Sequence, residues 1–359
     1  MLKQFRVSDD VAVRTESSVM RQTVNDIFRA LGMPNDDAQR CVDTLMYADD
    51  RGIDSHGVSN MVRFYVAGLK DGSINPAPKM TVTRDFPGAA VVDSDKGLGI
   101  TIGPQAMELA IEKARVCGVA TVTAMNGGHF GAAAYHAQLA LAQDMIGLSM
   151  TVGGLMVAPT FGAEARVGLN PIAVAAPAGE EAPFIFDGSM SSVAGNKIRL
   201  AQRLGADILP GWVTEADGTP VMDERPTPDG FMMLPLGGTR EIGSHKGYGL
   251  GASVDILSGL LSGAGVALHR KDGTSGHHFT VFNIAAFRDL DEYRAEMDAY
   301  LRALRETPPA PGQERVLYAG LEEHEEEIDR RERGIPYHPE VIEWFRETTA
   351  ELGLPDHFA

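Results

Sequence analysis

A hydroxyl and an imidazole stand side by side at Ser55-His56, inside the stretch Arg51-Gly52-Ile53-Asp54-Ser55-His56-Gly57. Gly52 and Gly57 make this backbone permissive rather than helical, so the histidine serves no helix propensity and is read as facing a site. An imidazole titrates near neutral pH and can take or give a proton, which suits general acid–base work. A second cluster, Gly127-Gly128-His129-Phe130-Gly131-Ala132-Ala133-Ala134, closes a strand and opens a helix with small residues. Backbone amides at such a junction can approach a phosphate or carboxylate, with His129 at the mouth. Equally, His129 would cap the helix while the alanines let it pack closely, and the residues alone leave both readings open.

Other chemistries find less support. His129 and His136 are seven residues apart, not the three or four that place two imidazoles on one helix face, and no HExxH or cysteine cluster occurs, so no metal is expected. There is no GxSxG elbow, and neighbours such as Ser55 and His56 would diverge on a helix or strand, which argues against serine hydrolysis. Gly97-Leu98-Gly99-Ile100-Thr101-Ile102-Gly103 imitates a dinucleotide-binding turn, but in a chain with 40 glycines it is read as a tight turn.

The elements that must position these residues follow from apolar spacing. Residues 19–30, 38–48 and 59–69 read as helices, and 73–78 as a linker. Residues 89–93, 119–125, 146–152, 172–176 and 184–186 read as strands, with helices at 103–117 and 132–143 between them. The stretch 211–238 is turn-rich, 246–261 is an apolar helix, 278–287 a strand, and 290–304 and 339–352 are helices. The expected fold is mixed α/β. Residues 79–309 form the α/β domain, and 1–78 joins 310–359 in one discontinuous helical domain.

Composition narrows the partners. At 359 residues and 44% hydrophobic content the chain supports a well-buried core and two domains. A net charge of -17 repels phosphate backbones and anionic lipid, so neither nucleic acid nor a membrane is an expected partner. The acidic run at 322–327 is read as a solvated helix face, Cys41 and Cys117 as buried thiols, and Met145, Met150 and Met156 as core filling. His277, His278, His324, His338 and His357 are read as exposed or interfacial, and His245 and Lys246 either as touching a ligand or as part of a structural loop-to-helix junction. The amino terminus lacks a signal-peptide apolar region and no stretch reaches a membrane span, so a cytoplasmic location is expected.

Five ordered runs resemble a known family over nearly the full length: Asp54-Ser55-His56-Gly57, His129-Phe130-Gly131-Ala132-Ala133, Asn170-Pro171-Ile172-Ala173, residues 187–197, and His245-Lys246-Gly247-Tyr248-Gly249-Leu250. The chain is similar to the malate/L-lactate dehydrogenase family, which is unrelated to the Rossmann dehydrogenases and includes ureidoglycolate, sulfolactate and cyclic imino acid oxidoreductases. The resemblance implies a homodimer with a non-Rossmann central domain that binds NAD or NADP. It also implies hydride transfer at C2 of a small 2-hydroxy or 2-oxo carboxylate. In that reading His129, Phe130, Gly131, Ala132 and Ala133 line the cofactor, with Asp187, Gly188, Ser189 and the stretch Ala319, Gly320, Leu321. His56, assisted by Ser55, is the favoured acid/base, with His129 as the second candidate.

Departures from the family pattern bear on substrate. Asn60 stands where an arginine often clamps a carboxylate, and a tyrosine often found a turn later is Phe64, with Arg63 and Tyr65 adjoining it as substitutes. Lys197 stands where some cyclic imine reductases carry an aspartate that completes a Ser-His relay; a cation there cannot stabilise an imidazolium. Residues 187–192 and 319–321 also differ from the common family residues, which leaves NAD and NADP as open alternatives. A cyclic imine (Δ1-piperideine-2-carboxylate-type) reductase and a non-catalytic cofactor-binding protein are the rival expectations.

Overall fold

The computed structural model describes residues 7–270 and 273–358. In chain order, β1 (Val13–Thr15) leads into three helices, α1 (Ser17–Ala30), α2 (Asn35–Asp50) and α3 (Val58–Asp71). The hairpin β2 (Thr81–Phe86) and β3 (Ala89–Asp93) follows, then α4 (Gly99–Cys117), β4 (Val119–Gly127), α5 (Ala133–Gln138) and β5 (Met145–Thr151). Next come β6 (Leu155–Val157), β7 (Val167–Gly168), β8 (Ile172–Ala176), β9 (Phe184–Gly188) and α6 (Gly195–Leu204). The remainder is α7 (Ser244–Val254), β10 (Ser275–Asn283), α8 (Leu290–Arg305), α9 (Leu321–Arg333), β11 (Ile335–Tyr337) and α10 (Pro339–Glu351).

A seven-stranded sheet in the order β2-β3-β4-β10-β5-β8-β9 forms the centre, and it is mixed, as expected. Only β3 and β4 among these neighbours run parallel; every other pair is antiparallel. No alternation of βα units generates such a sheet, which is why no Rossmann arrangement arises. α5 packs directly on it: a Cβ at Gly147 would stand 2.0 Å from the Ala137 carbonyl oxygen, and Ala133, Ala134, Ala137 and Ala140 are all buried. The small residues after His129 therefore serve close helix–sheet contact.

The helices α1, α2 and α3 share one apolar core with Ile335 and Tyr337 of β11 and with Ile342 and Phe345 of α10. β11 closes the contact by pairing antiparallel with β1.

Several sequence expectations need correction. The hairpin strand β2 and helix α6 were not foreseen, because β2 is exposed throughout and α6 follows a polar turn. The stretch 97–103 is no tight turn: α4 begins at Gly99, and Cβ atoms at Gly99 and Gly103 would stand 2.3 Å from Phe130 and 2.5 Å from His136. These glycines let α4 touch the His129 loop. His277 and His278 lie buried on central strand β10 rather than at the surface. Cys41 is buried as expected, whereas Cys117, at the end of α4, is exposed.

Candidate active site

The turn between α2 and α3 carries the first histidine. Gly52 adopts φ +72°, and the amides of Ile53 and His56 donate back to Ala48 and Ile53 carbonyls at 2.8 and 2.9 Å. This irregular path corrects the expectation that Ser55 and His56 diverge, since Ser55 Oγ and His56 Nδ1 are hydrogen-bonded at 2.9 Å. Nε2 is the nitrogen left for other partners. The surrounding protein strips water from the ring and lowers its pKa to about 4, so the imidazole is neutral at pH 7.

The second histidine sits on the loop between β4 and α5. The Gly131 amide donates to His129 Nδ1 at 3.1 Å, so that nitrogen is an acceptor and the Tyr65 hydroxyl donates to it at 2.8 Å. The neutral ring therefore carries its proton on Nε2. Burial, with smaller contributions from His56 and His136, lowers its pKa to about 3. The two imidazoles lie nearly parallel, with centroids 5.9 Å apart and planes inclined by 17°. Residues 73 positions apart in sequence thus meet face to face.

Behind them, Phe130 is stacked between His136 at 4.5 Å and His277 at 4.9 Å. His136 Nε2 donates to the Phe130 carbonyl at 2.7 Å, and burial holds His136 near 4 and His277 near 3. The stack fixes the loop that carries His129.

A cleft of about 650 Å³ opens in front of both rings, within the range of sites that take small molecules and cofactors (~300–1,000 Å³). Ser55, His56, Asn60, His129, Phe130 and Gly131 line it, and across it stand Ala133, Asp187, Gly188, Ser189, Lys197 and Gly320. One side chain settles the helix-terminus question: Asp187 Oδ2 accepts the Ala134 amide of α5 at 2.8 Å. The anion at that terminus is the protein's own carboxylate, and burial raises its pKa to about 6. Gly320, at φ +94°, lies so close to β9 that a Cβ would stand 2.9 Å from the Ile185 nitrogen, which brings residues 319–320 beside Asp187.

The sequence model of the malate/L-lactate dehydrogenase family matches residues 16–346. A malate dehydrogenase of Pyrococcus abyssi is 37% identical over 352 residues, covering 96% of this chain and 97% of that protein. An L-sulfolactate dehydrogenase of Methanocaldococcus jannaschii is 34% identical, covering 93% and 96%. The solved malate dehydrogenase of Pyrococcus horikoshii superposes with a TM-score of 0.89 at 34% identity, covering 98% of each chain.

The chain belongs to the malate/L-lactate dehydrogenase family. It is a dehydrogenase-type oxidoreductase, as the five runs of resemblance imply.

Not every residue expected at the dehydrogenase's site is brought there. Ala132 is buried beneath the loop, and Leu321 packs with Leu301 and Tyr318 in a separate small core. Ala319 contributes its carbonyl to the Ile185 amide at 3.0 Å. Arg63 leaves the cleft altogether: its guanidinium covers the Trp344 ring at 5.3 Å and approaches Glu340 at 3.6 Å, both on α10. Asn60 Nδ2 is engaged by the Asp54 carbonyl at 2.7 Å. His245 and Lys246 are exposed on α7 and do not line the cleft.

Other cleft residues escaped the sequence reading. Asn196 donates to the Ser55 carbonyl at 2.9 Å, tying the start of α6 to the His56 turn; it was legible only as part of the run 187–197. The acidic run on α9 is not simply solvated, because Glu323 lines the cleft while Glu326 and Glu327 pair with Arg330 and Arg51. Arg51, Lys197, Arg199 and Arg270 face Asp187 and Glu323 around the cleft, a local excess of cations in an acidic protein. No spacing signal marks Arg270, which reaches the Gly153 carbonyl at 2.6 Å across the fold. Among the described residues no group of three or more His, Cys, Asp or Glu side chains could hold a metal ion, and no helix is long and apolar enough to cross a membrane.

Proposed function

We propose that this dehydrogenase interconverts a small 2-hydroxy acid and its 2-oxo acid with NAD or NADP, and that His56 and His129 do the proton work. The observation that carries the reading is the facing pair of neutral imidazoles on the cleft wall. Because His129 Nδ1 is committed as an acceptor, its Nε2–H is a donor toward the substrate oxygen and cannot take a proton. The proton acceptor is therefore His56 Nε2, with Nδ1–H donated to Ser55 Oγ. On oxidation His56 takes the hydroxyl proton; on reduction it returns it. An anionic substrate beside the ring raises its depressed pKa toward the working range.

The cleft fits a dinucleotide without a glycine fingerprint. A Cβ at Gly154 would meet nothing within 4 Å and at Gly195 nothing closer than 3.6 Å, so these glycines leave room along the cleft wall. Asp187, which accepts the Ala134 amide of α5, faces the cleft beside Gly188, Ser189 and Gly320, where ribose hydroxyls can reach its carboxyl group. A nicotinamide held there would supply the hydride acceptor for C2 of the hydroxy acid and, reduced, the hydride for C2 of the oxo acid. Lys197 lines the cleft next to Asn196, and among the described residues no carboxylate pairs with it, so its ammonium is placed to pair with an anionic group of the substrate. The malate and sulfolactate acted on by the named relatives each carry two such groups, and we assign this chain the same dianionic class.

We also infer a homodimer in the cytoplasm. Leu250, Ile256, Leu257, Leu260 and Leu261 form an exposed apolar strip along α7 and the π-helix Asp255–Leu260 that continues it, which a second copy would cover. Light scattering at micromolar concentration tests the assembly.

A panel of 2-oxo acids with NADH and NADPH tests the function. Oxidation of one coenzyme with a four-carbon dicarboxylate faster than with pyruvate supports it. Absence of turnover throughout the panel, with coenzyme bound, favours a non-catalytic binding protein, and turnover confined to a cyclic imine favours a reductase.

A further inference from the structure

The turn that presents His56 hangs between two buried polar side chains, Asp49 and Arg330. Asp49, near the end of α2, is 1% exposed, and its Oδ2 accepts from the Val58 amide at 3.1 Å and from the Tyr337 hydroxyl at 2.8 Å. Val58 opens α3, whose N-cap residue Gly57 provides no side chain, so Asp49 supplies the cap from another helix. Its second oxygen lies against Gly57: a Cβ there would stand 1.6 Å from Asp49 Oδ1, a contact that only glycine escapes.

On the other side stands Arg330 of α9, 4% exposed. Its Nη1 donates to the Asp49 carbonyl at 2.6 Å and to Asp54 Oδ1 at 2.8 Å, while Nε donates to Glu326 at 2.9 Å. Residues 54–58 are thus held at both ends, Asp54 by Arg330 and Val58 by Asp49; Arg330 belongs to the carboxy-terminal segment, and Asp49 is tied to it through Tyr337 and Arg330. Burying a carboxyl group is costly, and here the cost goes with three contacts that all bear on the ends of the His56 turn: the Val58 amide, the Tyr337 hydroxyl and the close approach to Gly57.

We propose that Asp49, braced by Tyr337 and Arg330, is a positioning residue that fixes the Ser55-His56 turn against His129, so that the carboxy-terminal segment controls the geometry of the acid/base. For its catalytic meaning this rests on the reading of His56 given above. The structural coupling does not.

The test follows the His56 imidazole by NMR titration, with the resonance assigned by its loss in His56→Gln. In the native protein the ring, facing His129 and the Ser55 hydroxyl, stays neutral down to about pH 4. Asp49→Ala and Tyr337→Phe loosen the turn, admit water, and raise the midpoint toward the free value of about 6.5, by roughly one pH unit or more for the alanine variant. Asp49→Asn keeps an oxygen for the Val58 amide and shifts it less. In parallel, kcat falls while KM changes little. Should Asp49→Ala not fold, Tyr337→Phe decides, because it removes one hydroxyl and leaves the ring in the core. Variants that lose thermal stability but keep the native midpoint and kcat overturn the proposal and leave Asp49 a structural residue. A native protein that turns over no 2-oxo acid, yet shows the shifted midpoint in the variants, sinks the dehydrogenase mechanism and keeps the coupling.

Discussion

The Tyr65 hydroxyl lies 2.8 Å from His129 Nδ1 and joins the Gly131 amide in holding that nitrogen as an acceptor. Tyr65 is fully buried, and burial lifts its pKa well above the ordinary value, so it remains a neutral donor at any working pH. Tyr65→Phe removes one of two bonds that set the tautomer. A neutral hydrogen bond has a net worth of about 0.5–1.5 kcal/mol, so kcat falls roughly three- to tenfold with KM nearly kept. Steady-state kinetics check this.

Lys197→Met keeps the length of the side chain and removes its charge. With a dicarboxylic substrate KM rises about tenfold, as expected for a half-buried ion pair, while a monocarboxylic 2-oxo acid is handled nearly as before. Equal losses on both would assign Lys197 to the common C1 carboxylate instead.

Arg63→Ala tests a correction. Both partners of the Arg63–Glu340 pair are more than a third exposed, so its removal costs about 0–1 kcal/mol of stability and leaves kcat and KM unchanged. Chemical denaturation and kinetics on one preparation measure both. A large loss of activity would place Arg63 back at the substrate.

Acid stability follows from the buried rings. His56, His129, His136 and His277 titrate at about 4, 3, 4 and 3, below the free imidazole value of about 6.5. Between these values the unfolded chain binds their protons and the folded chain does not, so these groups make stability fall as pH drops from about 6.5 toward 4. Asp49 and Asp187, raised to about 7 and 6, act oppositely, because their folded forms hold protons that the unfolded chain has released. Four groups against two leave about two protons taken up on unfolding near pH 5. The urea midpoint should therefore fall steadily from pH 6.5 to 4.5, and a flat profile would contradict the neutral cluster.

How far the residues alone carried the account depends on the range of the interactions. The helices around His56 were legible because their apolar spacing is local, and Gly52 and Gly57 marked the break between them. The strand and loop bearing His129 were legible for the same reason. What could not be read was set by distant contacts: Asp187, 53 positions from Ala134, occupies the helix terminus that looked open to a ligand. Likewise Gly99 and Gly103 resembled a nucleotide fingerprint because the neighbours that demand them, the backbone and Cβ of Phe130 and the His136 ring, arrive from another element. Arg63 is likewise set by distant partners: it lies three positions from Asn60 on α3, a spacing that suggests a shared face, yet Trp344 and Glu340 of α10 hold its long side chain away from the cleft.

The most direct test is single-turnover hydride transfer from NADH or NADPH to the best 2-oxo acid by the native protein, His56→Ala and His129→Ala, with coenzyme binding measured separately by fluorescence. The proposal predicts that both variants bind coenzyme close to the native affinity while transfer slows on the order of 10²-fold or more in His56→Ala, the proton being supplied by that ring. Native transfer rates in both variants would contradict it.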